Sequence, residues 1–221
     1  AQPAARAALR TALLSSQAGV LRHYRSTGLL SGYSLLFSRY ADRDSWDAME
    51  VLHFPSEAAL ASWRSVERRS PGGLAPAALR LVGSMHSVLT DTVRAAGVHQ
   101  AQDPSILVIP YLTVVPEDEY LRYLDGYTLP QLRGWVEAGV LDGFQIDFCR
   151  FPGGRRWNAL LFLDYRDDAA LARRAAVVAQ VRARLAATDP RWKAYSDDKK
   201  SIRSERAITV AERLAGEGPG R

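Results

Sequence analysis

Residue types able to carry acid–base or nucleophilic chemistry are sparse in this sequence. There are four histidines, His23, His53, His86 and His99, and a single cysteine, Cys149. No histidine pair has the spacing of a helix-borne zinc site such as H-E-x-x-H. One thiol excludes an intrachain disulfide and a cysteine-cluster metal centre, so no metal is expected. No phosphate loop, G-x-G-x-x-G fingerprint or G-x-S-x-G elbow occurs, which argues against nucleotide-dependent and hydrolase chemistry.

What remains is a set of polar residues at alternating positions of strand-like segments. Between Phe144 and Cys149, the residues Gln145, Asp147 and Cys149 share one face, opposite Phe144, Ile146 and Phe148. The next segment puts Asn158, Leu160, Phe162 and Asp164 opposite Trp157, Ala159, Leu161, Leu163 and Tyr165. Upstream segments supply Ser34, Leu36 and Ser38, then Asp47, Met49, Val51 and His53. The all-apolar sets should pack under helices, leaving the mixed sets to face an interior where a small ligand would sit. In that reading His53 is a general acid or base, with Asp164 as the matching carboxylate. Ser34, Ser38, Asp47, Gln145, Asp147, Cys149 and Asn158 are the ligand-binding set. The competing reading is that these groups satisfy one another within the fold. Cys149 has no basic activator nearby in the sequence and reads as a small buried residue.

The elements that would position these residues come from an internal repeat. Thr27 through Ala61 matches Ala138 through Ala172 without a gap, at a constant offset of 111. Identical pairs include Gly28/Gly139, Gly32/Gly143, Phe37/Phe148, Arg39/Arg150, Trp46/Trp157 and Leu52/Leu163. His53 and Asp164 are also a pair at this offset. The period is far too long for a solenoid, so the sequence predicts two domains, 1–102 and 103–221. In the second copy, Ser105 to Val115 reads as a strand and Glu117 to Ala138 as a helix broken or kinked at Pro130. Strands follow at Phe144 to Phe151 and Trp157 to Tyr165, joined by Pro152-Gly153-Gly154. A helix from Asp167-Asp168 to about Ala187 and a final strand over Arg206 to Arg213 complete a β-α-β-β-α-β order. That order is the ferredoxin-like split βαβ, an α+β fold. The first copy repeats the core and ends in an amphipathic helix, Ala77 to Ala95. Its opening strand maps largely before residue 1, so it is either absent or removed with a processed segment.

Composition narrows the function classes further. The chain has 221 residues, 47% hydrophobic and 24% charged, ordinary for a packed globular protein. Its net charge is +5, and only Lys193, Lys199 and Lys200 of its 29 basic residues are not arginine. The arginines are scattered among acids, as in Asp42-Arg43-Asp44, so no nucleic-acid partner is expected. Asp197-Asp198-Lys199-Lys200 reads as a solvated, self-neutralising run, with Trp192 pinning it to the domain. No apolar run is long enough to span a bilayer, and no membrane partner is expected. The start Ala1-Gln2-Pro3-Ala4 resembles the product of a small-residue signal cleavage, which predicts a periplasmic or secreted protein; a trimmed chain start is the alternative.

The hairpin strand Trp46 to Phe54, followed by Ser56-Glu57-Ala58-Ala59-Leu60, resembles the third strand and second helix of dimeric α/β-barrel proteins. These include stress-responsive barrel proteins, antibiotic-biosynthesis-type monooxygenases and EthD-like proteins. Trp157 to Tyr165 and Asp167 to Leu171 repeat the pattern. The resemblance implies two sheets packed face to face, here as a single-chain pseudo-dimeric barrel, monomeric or paired in a homodimer. No cofactor is expected; haem is the alternative the resemblance allows, with His86 on a helix from Leu79 to Val93 as its ligand. Three functions follow as expectations. The first is an exported protein binding a small apolar or aromatic molecule between the sheets. The second is a cofactor-independent oxygenase or cyclase using His53, and the third an interaction module with no pocket.

Overall fold

The computed structural model describes residues 3–97 and 104–218. The chain is an α+β protein of antiparallel strands covered by helices. Helices α1 (Arg6–Ala12) and α2 (Ala18–Ser26) flank a π-helical turn, Leu13–Gln17. Strands β1 (Gly32–Ser38) and β2 (Ala48–His53) follow, then α3 (Glu57–Arg69), the short α4 (Pro76–Leu79), β3 (Thr90–Gly97) and β4 (Ser105–Thr113). Next come α5 (Glu117–Tyr123), a second π-helical turn at Leu124–Thr128, and α6 (Leu129–Glu137). The remainder is β5 (Leu141–Cys149), β6 (Ala159–Tyr165), α7 (Asp168–Ala172), α8 (Arg174–Thr188), α9 (Pro190–Ile202), β7 (Arg203–Glu205) and β8 (Thr209–Glu217).

Contacts divide the chain into two compact units, Ala1–Ser87 with Ala211–Arg221, and Val88–Val210. In the first unit β1 pairs with β2 and with β8, both antiparallel. Leu9, Leu13 and Leu21 from the helices pack on Tyr33, Leu35 and Phe37 of β1. Ser56 caps α3, its hydroxyl accepting from the Ala59 amide at 3.2 Å. Gly73 (φ 69) closes the corner after α3, and a Cβ there would stand 2.4 Å from the Trp63 ring, so only glycine fits.

In the second unit the strand order is β3-β5-β6-β4-β7, antiparallel throughout. Leu107, Ile109 and Tyr111 of β4 join Phe144, Ile146 and Phe148 of β5 and Leu161, Leu163 and Tyr165 of β6 in one core with the helices. The alternation read from the sequence therefore assigns this sheet face correctly.

The sequence repeat has a structural echo. Shifted by 111, β1 falls inside β5, β2 inside β6, and the turn at Leu13–Gln17 onto Leu124–Thr128. A π-turn inserts one extra residue and is an uncommon feature. Gly19 stands where the second helix has Pro130, so the widened turn accommodates the proline and does not arise from it.

Three expectations need correction. The helix expected over Ala77 to Ala95 is confined to α4, and Thr90–Gly97 is strand β3, paired with β5. Thr90, Thr92 and Val93 are β-branched, and the long-range partner β5 overrides the weak helical pattern. The final strand expected at 206–213 is two strands, β7 at 203–205 and β8 at 209–217. The helix across Pro130 is continuous through its π-turn. The boundary expected at 102/103 lies outside the described residues, as does His99. The strand closing the first sequence copy, β3, belongs to the second unit, while β8 beyond residue 210 belongs to the first.

Candidate functional site

Most residues proposed from alternation have local structural partners. Arg6 ties α1 to the hairpin by pairing with Asp47 and donating to the Ser38 carbonyl at 2.7 Å. The Ser38 hydroxyl donates to the Tyr40 carbonyl at 2.7 Å. Asn158 spans both sides of Thr113, accepting from its amide and donating to its hydroxyl, each at 2.8 Å. Cys149 is buried, and that burial pushes its thiol up to about 11, far from a reactive thiolate. Arg150, the repeat partner of Arg39, pairs with Asp91 of β3 at 2.7 Å. Ser34 is half-buried on β1, opposite Val51 and Gly216.

Asp147, Asp164 and His53 are left with chemical interest. Asp147 is buried and accepts from the Thr92 hydroxyl at 2.8 Å and the Gln145 amide at 2.9 Å. Burial outweighs both donors, and its carboxyl is pushed up to about 6. Asp164 is buried at the centre of its sheet, between Ile106 of β4 and Gly143 of β5. The His53 ring is half-buried at the end of β2, and burial lowers its pKa, leaving it neutral at pH 7. Among the described residues of its own unit, no carboxylate bonds the ring.

The first unit also holds an acid that alternation did not single out. Glu50 lies on the helix-facing side of β2 between Ala48 and Leu52, and its Oε1 is buried without a partner. Burial pushes its carboxyl up to about 8, against a bond from Gln17 and with repulsion from Glu67. Gln17, fully buried in the π-turn, accepts from the Ala75 amide at 2.6 Å.

The second unit holds a feature that sequence reasoning missed: a tyrosine-rich layer between its sheet and helices. Tyr120 and Tyr123 project from α5 and Tyr127 from the π-turn, while Tyr111 and Tyr165 project from the strands beneath. Tyr120 stacks on Tyr123, Tyr123 on Tyr127 at 5.0 Å between centroids, and Tyr127 on Trp192 of α9 at 5.1 Å. Gly126 lets this packing close, since a Cβ there would stand 2.5 Å from the Tyr195 ring. The hydroxyls of Tyr123, Tyr127, Thr128 and Tyr165, the Trp135 indole N–H and Arg174 Nε are all buried without a hydrogen-bond partner. Buried polar groups in folded proteins are overwhelmingly paired, so a cluster of unpaired donors marks a site for a ligand or ordered water. The signal in the sequence was the concentration of tyrosine: Tyr111, Tyr120, Tyr123, Tyr127 and Tyr165 fall in one copy, where Leu9, Ala12 and Ser16 occupy the matching helix positions.

With the geometry in place, the chain can be set beside known proteins. No family model matches it, and no curated protein does. Three solved structures align over nearly its whole length. One is a candidate monooxygenase from Fusobacterium nucleatum, with a TM-score of 0.52, 15% identity, and 93% and 88% of the two chains covered. Another is an anthrone oxidase-like protein, with a TM-score of 0.53, 10% identity, and 94% and 90% covered. The third is a haem-binding protein from Thermus thermophilus, with a TM-score of 0.50, 13% identity, and 96% and 83% covered.

The chain shares the overall fold of these proteins. At these identities the likeness extends to the fold and not to the site. The residues do not fit haem on His86, which is exposed on a segment outside any helix or strand. His23 is exposed as well, and among the described residues the second unit contains no histidine. Among the described residues no three His, Cys, Asp or Glu side chains gather as metal ligands, and no helix is long and apolar enough to cross a membrane.

Proposed function

We propose that this chain binds a small aromatic molecule in the tyrosine-rich layer of its second unit. The observation that carries the reading is the set of six unpaired buried donors among stacked aromatic rings. Flat rings recognise flat ligands by offset stacking, and donors placed among them orient the ligand's oxygens. A neutral aromatic probe, 2-naphthamide, is expected to quench tryptophan fluorescence saturably, because Trp135 and Trp192 belong to the same core. Mass spectrometry of natively purified protein is expected to find an aromatic small molecule bound. The absence of both saturable quenching and a co-purifying ligand overturns the reading.

A second reading, independent of the first, is cofactor-independent oxygenation or cyclisation of a small molecule held in the first unit, and it draws support from His53. A half-buried neutral imidazole is in the form a general base requires. Turnover of a co-purifying ligand is expected to fall at least about 100-fold in His53→Ala, the ordinary contribution of a general base, with binding retained. Unchanged turnover removes His53 from the chemistry.

A further inference from the structure

The donors of the tyrosine layer stand beside two cations that lack counter-charges. Arg203 opens β7, its guanidinium 3.8 Å from the centroid of the Tyr111 ring and 5.2 Å from that of Tyr123, and its charge acts on the Tyr120 hydroxyl. Arg174, at the start of α8, acts on both Tyr111 and Tyr165, yet its Nε is buried without a partner. Among the described residues neither arginine forms an ion pair. The carboxylate whose charge reaches Tyr111, that of Glu205, is exposed. The tyrosines do not supply the missing negative charge. Burial pushes Tyr111 up to about 12 and raises Tyr120, Tyr123 and Tyr165, so all four are neutral donors at pH 7.

A shielded guanidinium without an anion is costly, and most arginines in such places meet a carboxylate or phosphate. This layer has two arginines acting on one group, the Tyr111 hydroxyl, and unpaired hydroxyl and N–H donors around them. It contains the partners of an anion and not the anion itself.

We propose that the ligand of this layer is an aromatic molecule carrying an anionic oxygen, a carboxylate or a phenolate, and that Arg203 and Arg174 hold that oxygen. The inference rests on the binding reading above and adds the charge of the ligand to it. Arg203 is suited to the task because its guanidinium already lies over the Tyr111 ring, and its N–H fork can meet an oxygen. Tyr165 and Arg174 Nε offer donors from the strand and helix sides of the same layer. The stacked Tyr120, Tyr123 and Tyr127 rings then receive the aromatic body.

The test compares 2-naphthoate with its neutral isostere 2-naphthamide by fluorescence or calorimetric titration of the full chain. Naphthoate is expected to bind about tenfold tighter or better, the ordinary worth of a charge-assisted pair. A second arm uses 4-nitrophenol, whose colour reports its ionisation. If the phenolate is preferred, its ionisation midpoint falls on binding. Preference for naphthoate alone identifies a carboxylate ligand, and a lowered nitrophenol midpoint identifies a phenolate. Arg203→Gln and Arg174→Gln are each expected to shrink the naphthoate-over-naphthamide preference at least about threefold. Arg203→Lys keeps the charge and loses the flat fork, and it should fall between. The wild-type comparison decides without any variant. Equal binding of naphthoate and naphthamide, with an unmoved nitrophenol midpoint, overturns the anion inference and leaves the binding reading intact. Binding of none of the probes overturns both.

Discussion

Trp192→Ala is expected to destabilise the second unit by about 3–5 kcal/mol, at the upper end of aromatic deletions from a core. Trp192 is 1% exposed, and its indole stacks on Tyr127 while donating to the Tyr127 carbonyl at 3.0 Å. Its backbone amide is held by the N-cap Asp189 at 2.9 Å, so the start of α9 is fixed independently of the side chain. Removing the ring therefore leaves a cavity and does not unwind the helix. The Tyr127 carbonyl also accepts from Gln131 at 3.0 Å and would keep one partner after the substitution. The lost hydrogen bond then contributes only about 1 kcal/mol, and packing supplies the remainder. Trp192→Phe separates the two terms. It retains a stacked ring and is expected to cost less than half of what alanine costs. Urea unfolding at neutral pH measures both. A loss below about 1 kcal/mol for alanine would show that α9 does not close the aromatic layer.

The same layer shows where sequence reading succeeds and where it stops. Period-two alternation assigned Phe144, Ile146, Phe148, Leu161, Leu163 and Tyr165 to the helix-facing core because each strand keeps its register between turns that the sequence marks. The repeat at 111 located both hairpins for the same reason, since Gly28 and Gly139 adopt matching left-handed conformations, φ 77 and 70, ahead of them. Strand β3 was missed because what makes Thr90–Gly97 a strand is β5, some fifty positions downstream along the chain. Asp47, Ser38 and Asn158 had the residue types of a binding site, but their partners, Arg6, the Tyr40 carbonyl and Thr113, turn them into fasteners. The tyrosines failed in the opposite sense. No motif singles out Tyr120, Tyr123 and Tyr127, and only three dimensions reveal that the hydroxyls of Tyr123 and Tyr127 meet nothing. Unpaired donors are a property of surroundings, and no residue pattern encodes them.

Glu50 shows the limit again and gives the pH dependence with the largest expected amplitude. In the repeat its position corresponds to Leu161, which is buried in the core of the second unit. A carboxyl in the equivalent place, with Oε1 buried and unpaired, is tolerated only in its neutral form. Its pKa in the folded chain is about 8, against an ordinary value of 4.5. Below pH 4.5 the acid is protonated whether or not the chain is folded, and it imposes no charge penalty. Between pH 4.5 and about 8 the unfolded chain releases the proton and the folded chain keeps it, so stability falls as pH rises. Above pH 8 the folded chain ionises too, and the full penalty, on the order of 5 kcal/mol, stays in place. Glu50→Gln removes this ionisation while retaining an oxygen for the Gln17 amide. The variant is therefore expected to match the wild type within about 0.5 kcal/mol near pH 4 and to exceed it progressively toward pH 9. Urea midpoints at about pH 4, 7 and 9 measure the divergence. A difference between the two proteins that stays constant with pH would mean that Glu50 reaches water on ionising. The helix–sheet layer of the first unit would then admit solvent, unlike a sealed core.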